Sequence, residues 1–171
     1  MSRELLMSFL LRLADALNRD DSRSRWLNIG LAVGLGLVAN GLAIWIGRGM
    51  EFEPVSWLSP PPWLAAIIWL FTFLLLGASR WTLNSYTIIG VATARTMVTL
   101  LIVLGLLWPF YSLPVVDLRV TLFANAATLA LAIAAAVLVG RRSIEAASLI
   151  LPVIVWLAFT TLVVLSAIEG L

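Results

Sequence analysis

Five long apolar runs leave this chain few ways to fold. They are Trp26 to Ile46, Trp63 to Ser79, Ile88 to Phe110 with Arg95 near its start, Val120 to Val139, and Ala146 to Ile168. A helix needs about 20 mostly apolar residues to cross a bilayer, with a range of roughly 17–25. Each run meets that length. The runs are continuous, without the in-out alternation of a membrane barrel strand, so they read as helices. The breaks carry turn residues or charge: Gly47-Arg48-Gly49, Asn84-Ser85, Pro114 to Arg119, and Gly140-Arg141-Arg142. Composition agrees. The chain is 62% hydrophobic and 12% charged, whereas a soluble domain is about half apolar and about a quarter charged. The fold class is an all-α integral membrane protein, a five-transmembrane-helix bundle with an N-terminal amphipathic helix. Little polar chain remains outside the spans, so function belongs to the bundle or its short loops.

What is missing narrows the chemistry. The chain has no Cys and no His. No disulfide framework or thiolate metal site is available. The commonest metal ligand, haem ligand and neutral-pH general base is gone as well. No acidic pair lies within the spans, so acid-base machinery is not evident and the chain does not read as an enzyme. The eleven basic residues are all Arg, the net charge is only +2, and they are dispersed. Nucleic acid would need a basic stripe that this chain lacks.

Residues 1–25 differ from the remainder, 26–171. Leu5, Leu6, Phe9, Leu10, Leu13 and Leu17 recur at helical spacing among Arg3, Arg12, Asp15 and Arg19. A secretory signal would have a purely apolar centre and a small-residue cleavage site, and neither is present. The segment reads as an amphipathic helix, either lying on the membrane surface or docked on a partner. Asp20-Asp21-Ser22 interrupts it before the first span.

Arg placement sets an expected topology. Five Arg precede the first span, Arg80 and Arg95 flank the loop between spans two and three, and Arg141 and Arg142 separate spans four and five. The other side has Arg48 and Arg119. The positive-inside rule then puts the N-terminus in the cytoplasm and the C-terminus on the opposite side. For packing, Gly30 and Gly34 in span one and Ala126, Ala130 and Ala134 in span four are candidates for close helix approach. Asn40 and Asn125 are polar groups inside spans that need partners, and structural glue is the favoured role.

One stretch stands apart. "SWLSPPPWLAAIIW", residues 56–69, holds three Pro and three Trp. Pro60, Pro61 and Pro62 cannot continue an upstream helix, but Pro is tolerated in a first helical turn, so Pro62 and Trp63 open span two. Gly47 to Pro61 is then a stiff, extended loop carrying Trp57. Trp26, Trp45 and Trp81 lie at span ends and fit an interfacial belt. Trp69 lies about two turns into span two, with Phe73 one turn further on the same face. Trp108 and Trp156 are also away from plain belt positions. Pro152 precedes Trp156 by one turn, where it kinks span five and opens space beside it. These rings either line a ligand cavity or fill the bundle core.

The pattern resembles the TspO/MBR family of tryptophan-rich sensory proteins, which includes the mitochondrial translocator protein. That family carries W-x-x-P-P-x-W, then five residues, then W-x-x-x-[YF]-x-L-M-G. Here the corresponding residues are Trp57, Pro60, Pro61, Trp63, Trp69, Phe73, Leu75, Leu76 and Gly77. "WPFYSL" from Trp108 is similar to the end of the family's span three, and Pro152, Trp156 and Phe159 are similar to its span five. The resemblance extends over about residues 26 to 168. It implies a five-helix bundle with a cavity opening toward loop one, binding porphyrins or other flat hydrophobic ligands, and commonly a homodimer. By position, Trp69, Phe73, Trp108, Trp156 and Phe159 would line the cavity, and Trp57, Pro60, Pro61 and Trp63 would form its lid. The resemblance also implies that the N-terminal helix lies outside the five-span bundle, because family members usually begin close to span one.

The chain departs from the pattern in polar positions. Gly105 and Val163 stand where the family usually has Asn, and Val153 stands where it has Tyr. Two functions are therefore carried forward. One is a tetrapyrrole-binding sensor or carrier. The other is a non-catalytic accessory subunit packed against a larger membrane complex, including a pigment-binding one.

Overall fold

The computed structural model describes residues 3–48, 56–113 and 116–169. The expected loop from Gly47 to Pro61 and the break after Leu113 lie partly outside these. The elements in order are α1 (Arg3–Leu17), α2 (Ser22–Ile46), α3 (Pro62–Thr82), a 3-10 turn (Leu83–Ser85), α4 (Val91–Tyr111), α5 (Leu118–Gly140), α6 (Ile144–Ser148) and α7 (Leu151–Glu169). Five segments are long and apolar enough to cross a membrane: Ser22–Ile46, Pro62–Ser85, Val91–Tyr111, Leu118–Gly140 and Ile144–Glu169. This is an integral, multi-pass membrane protein.

Local chemistry sets the ends. Asp21 accepts from Ser24 N at 2.6 Å and caps α2, so the first span begins before Trp26. Pro61, with φ −54° and ψ 140°, hands the chain to Pro62 at the first position of α3. Gly90 has φ 87°, a left-handed conformation that favours glycine, and it delays the start of α4 to Val91. Ser143 caps α6 by accepting from Ala146 N at 3.1 Å. The fifth span is two helices rather than one. Pro152 has no N–H for the Ser148 carbonyl, and the chain breaks between Ser148 and Leu151.

α2 packs chiefly on α3, α5 on α7, and α4 on α2, α3 and α5, while α3 touches α7 along only a short stretch. In a bilayer, lipid tails are as apolar as the side chains, so dispersion and close fit hold these helices together. The closest approach of a glycine to another helix's backbone is at Gly77, where a Cβ would stand 2.8 Å from both Asn28 O and Ile29 Cα of α2. The small-residue positions expected from spacing are elsewhere. A Cβ at Gly30 or Gly34 would meet nothing within 4 Å. Ala126, Ala130 and Ala134 are exposed, because α5 turns Thr121, Asn125, Thr128, Ala132, Ala135 and Val139 inward instead.

The end of α1 is joined to the bundle. Leu17 O accepts from Ser24 Oγ (3.1 Å), Asn28 Nδ2 (2.9 Å), Arg80 Nη1 (3.2 Å) and Asn84 Nδ2 (2.8 Å). Arg80 also donates to Asn28 Oδ1, Asn18 Oδ1 and Thr99 Oγ1. Trp81 Nε1 donates to Asp21 O at 3.1 Å, and Arg25 lies over the Trp81 ring. These bonds satisfy the last carbonyl of α1 and a half-buried guanidinium together. Leu6, Phe9 and Leu10 of α1 remain exposed.

Candidate ligand site

The phase of α3 is fixed by its Pro start. Trp69 and Phe73, one turn apart, then share the face that turns into the bundle, and both are buried. Antiparallel packing of α4 brings Trp108 to them. The Trp69 and Trp108 rings are 4.9 Å apart at their centroids and tilted by 39°, and Trp69 and Phe73 are 5.9 Å apart. Offset, tilted rings suit the aromatic quadrupole. Phe73 fills the space between two glycines. A Cβ on Gly36 would stand 2.6 Å from its Cδ2, and one on Gly105 would stand 3.1 Å from its Cε1. The interior group Trp69, Phe73 and Trp108 is therefore closely packed.

Trp156 and Phe159 form a second pair, with centroids 5.6 Å apart. Among the described residues no ring contact links them to the first group. They line an open groove of about 670 Å³ with Ile68, Ser148, Leu151, Pro152 and Val155. Its origin is the short α3–α7 contact and the break at Pro152, the place where the sequence predicts space. The volume lies within the range of small-molecule sites, roughly 300–1,000 Å³. The lining is apolar. The indole N–H groups of Trp69, Trp108 and Trp156 are buried and have no protein partner, so each is a donor without an acceptor.

The loop residues are placed differently. Trp57 is 78% exposed and Trp63 is 65% exposed. Pro60 is half-buried and Pro61 is exposed. Ser56 Oγ and Ser166 Oγ are 2.6 Å apart, which ties the loop to the far end of α7. Ser59 N donates to Ser56 O at 2.9 Å, closing a tight turn with Trp57 at its tip. Both tryptophans suit the aromatic belt of a membrane interface.

Sequence reasoning missed several groups. Ile68, Leu151 and Val155 line the groove but are ordinary apolar residues in an apolar helix, and nothing marks them. Gly36 carries a signal only once Phe73 is known to face it.

Fold and site together define a class: a five-span helical membrane protein with tryptophans clustered inside the bundle and along one seam of it. The TspO/MBR family model matches residues 28–168, from the first turns of α2 almost to the end of α7, and the chain belongs to that family. No curated protein matches it closely enough to count as a relative. α1 lies before the matched region. At Gly105, where the family pattern has Asn, the ring of Phe73 occupies the space a side chain would need.

Proposed function

We propose that this TspO/MBR protein binds a flat hydrophobic ligand, such as a porphyrin or another tetrapyrrole, and works as a sensor or carrier. The observation that carries this reading is the groove between α3 and α7. It has the volume for such a ligand, an apolar lining, and the Trp156–Phe159 pair as a wall. Indole faces stack on conjugated rings without a matched hydrogen-bond pattern. Ligand arriving through the bilayer reaches the groove laterally, because it is open to the outside of the bundle. Titrating a porphyrin into the purified protein and following tryptophan fluorescence tests this. Quenching should saturate, and Trp69→Leu with Trp156→Leu together should weaken the affinity by more than about tenfold. Unchanged affinity in that double variant overturns the assignment.

A specific observation favours a second reading, the accessory subunit. The interior is closed by Phe73 between Gly36 and Gly105, and α1 presents exposed Leu and Phe side chains from a firmly held base. Under this reading α1 docks on a larger complex. Under the first it rests on the lipid surface, and the outward small-residue faces of α2 and α5 pair two copies. Native size after mild extraction separates a homodimer from a larger assembly. The Arg distribution supports a cytoplasmic N-terminus in either case.

A further inference from the structure

We infer that the pocket between the start of α4 and the end of α5 holds the phosphate of an anionic phospholipid, gripped by Arg141, Arg142 and Thr93. This site is separate from the α3–α7 groove and independent of the function proposed above.

The pocket has a volume of about 140 Å³. Gly90, Thr93 and Ala94 line it from the start of α4, and Leu138, Arg141 and Arg142 line it from the end of α5. It shares no residue with the groove. A water fills about 30 Å³ of liquid, so the space suits a group of about five heavy atoms, the size of a phosphate. A tetrapyrrole is far too large for it.

Its polar side chains lack partners within the chain. Among the described residues the one ion pair is Arg19 with Asp15. Neither Arg141 nor Arg142 meets a carboxylate there, although Glu145 follows within about one turn. The Thr93 hydroxyl has no partner among the described residues either, whereas Thr96 and Thr99 on the same helix donate to Ala92 O and Arg95 O. Two guanidinium groups and a hydroxyl therefore face a space of phosphate size, and guanidinium forks match phosphate oxygens.

Gly90 sets the position of Arg142. A Cβ on Gly90 would stand 2.5 Å from Arg142 Nη2 and 3.1 Å from its Cζ, so the missing side chain lets the guanidinium lie against the backbone. Arg142 is accordingly half-buried rather than extended into water. A guanidinium already held in place loses less freedom on binding an anion. Gly90 also precedes the first turn of α4, where the helix dipole is positive. The chain thus sets a cation beside a positive helix end and supplies no anion of its own.

The surroundings point to a lipid as the carrier of that anion. Ile89 is 93% exposed and Ile144 is 83% exposed, and they adjoin Gly90 and the Arg141–Arg142 pair in the chain. Bare isoleucines suit the acyl boundary of a bilayer rather than water. Basic pockets between the ends of spanning helices suit lipid phosphates. A zwitterionic lipid would bring its own ammonium into this cationic place, so a lipid of net negative charge is favoured.

Native mass spectrometry of the full chain, extracted in detergent with equal phosphatidylglycerol and phosphatidylcholine, tests this. Phosphatidylglycerol should be retained about tenfold over phosphatidylcholine. Arg142→Gln should cut that preference about fivefold, the effect of one Arg at a lipid surface. Arg23→Gln removes one exposed charge outside the pocket and should change it less than about twofold. Thr93→Val keeps the shape and the net charge and should cut the preference about threefold, and it decides alone if Arg142→Gln does not fold. Inorganic phosphate should leave the bound lipid in place. Equal losses from Arg142→Gln and Arg23→Gln would mean diffuse attraction and overturn the site. No preference in the native protein, or an unchanged preference in the folded pocket variants, overturns it as well. Displacement of the lipid by inorganic phosphate would assign the pocket to the free anion and overturn the lipid.

Discussion

Arg80 Nη1 lies 2.5 Å from Asn28 Oδ1, and the same nitrogen reaches the carbonyl of Leu17, the last residue of α1. One guanidinium thus holds α1, α2 and α3 together. Its planar fork serves several acceptors at once, which a lysine ammonium cannot reproduce with the same geometry.

Arg80→Ala should therefore cost roughly 1.5–3 kcal/mol, the range for hydrogen bonds to a charged group. Arg80→Lys should recover only part of it. Removing residues 2–20 should also lower the melting temperature, because Asn28, Arg80 and Asn84 lose the Leu17 carbonyl as acceptor. Thermal unfolding in detergent followed by circular dichroism checks all three variants. Truncation without a change in melting temperature would show that α1 is energetically independent of the bundle.

Packing at Phe73 gives a second expectation. Its ring is 1% exposed and cannot swing aside when Gly36 gains a methyl group. Gly36→Ala should destabilise by about 1–3 kcal/mol through overpacking. Phe73→Leu should relieve the clash, so the double variant should be more stable than the sum of the single effects predicts. A double-mutant cycle measures that coupling. Strict additivity would mean that the two residues are not in contact.

Much of the fold was legible in the sequence because span length, Pro and Gly act locally. Asp21, Pro62 and Pro152 each mark a helix end that is present. Side-chain direction was much less legible. A soluble helix shows its inner face by amphipathicity. Here both faces of each span are apolar, and the phase carries little chemical contrast. Gly30 and Gly34 match the spacing for close packing, yet Gly77 and Gly36 make the approaches. Trp69 and Phe73 were placed on one face by spacing, since a ring one turn from another shares its face, whereas Trp108 lies on another helix and only the family resemblance set it beside them. The groove depends on a weak α3–α7 contact, a long-range property no local motif encodes. Asn125 was expected to bind a neighbouring helix, but neither its amide nitrogen nor its amide oxygen has a protein partner.

The two tryptophan groups should respond differently to ligand. Trp156 lines the groove, whereas Trp69 is packed against Trp108 and Phe73. Trp156→Leu alone should weaken porphyrin binding about tenfold, on the order of one lost stacking contact. Trp69→Leu should lower stability by several kcal/mol, on the order of 3–5 for a large aromatic truncation, and change affinity less. Paired fluorescence titrations and melting curves decide. A larger affinity loss from Trp69→Leu would move the ligand from the groove into the interior.

The last expectation is topological. The turn after α5 lies against the turn before α4, since a Cβ on Gly90 would stand 2.5 Å from Arg142 Nη2. Arg95 Nη1 donates to Asn84 Oδ1 at 3.2 Å, and Arg80 reaches the base of α1. Arg80, Arg95, Arg141 and Arg142, with Arg19, Arg23 and Arg25 around the start of α2, thus gather at one end of the bundle. Arg48 and Arg119 adjoin the other ends of their spans. Short loops rich in Arg stay in the cytoplasm during insertion, so that end is expected inside. A phosphatase active only outside the cytoplasm, fused after Leu171, should be active. A fluorescent protein that matures only inside should be dark at the same position and bright at the N-terminus. Replacing Arg141 and Arg142 with Ser while introducing two Arg beside Arg119 should create a mixed population, because it narrows the bias without removing the five Arg ahead of Trp26. A bright C-terminal fusion in the native sequence would invert the orientation.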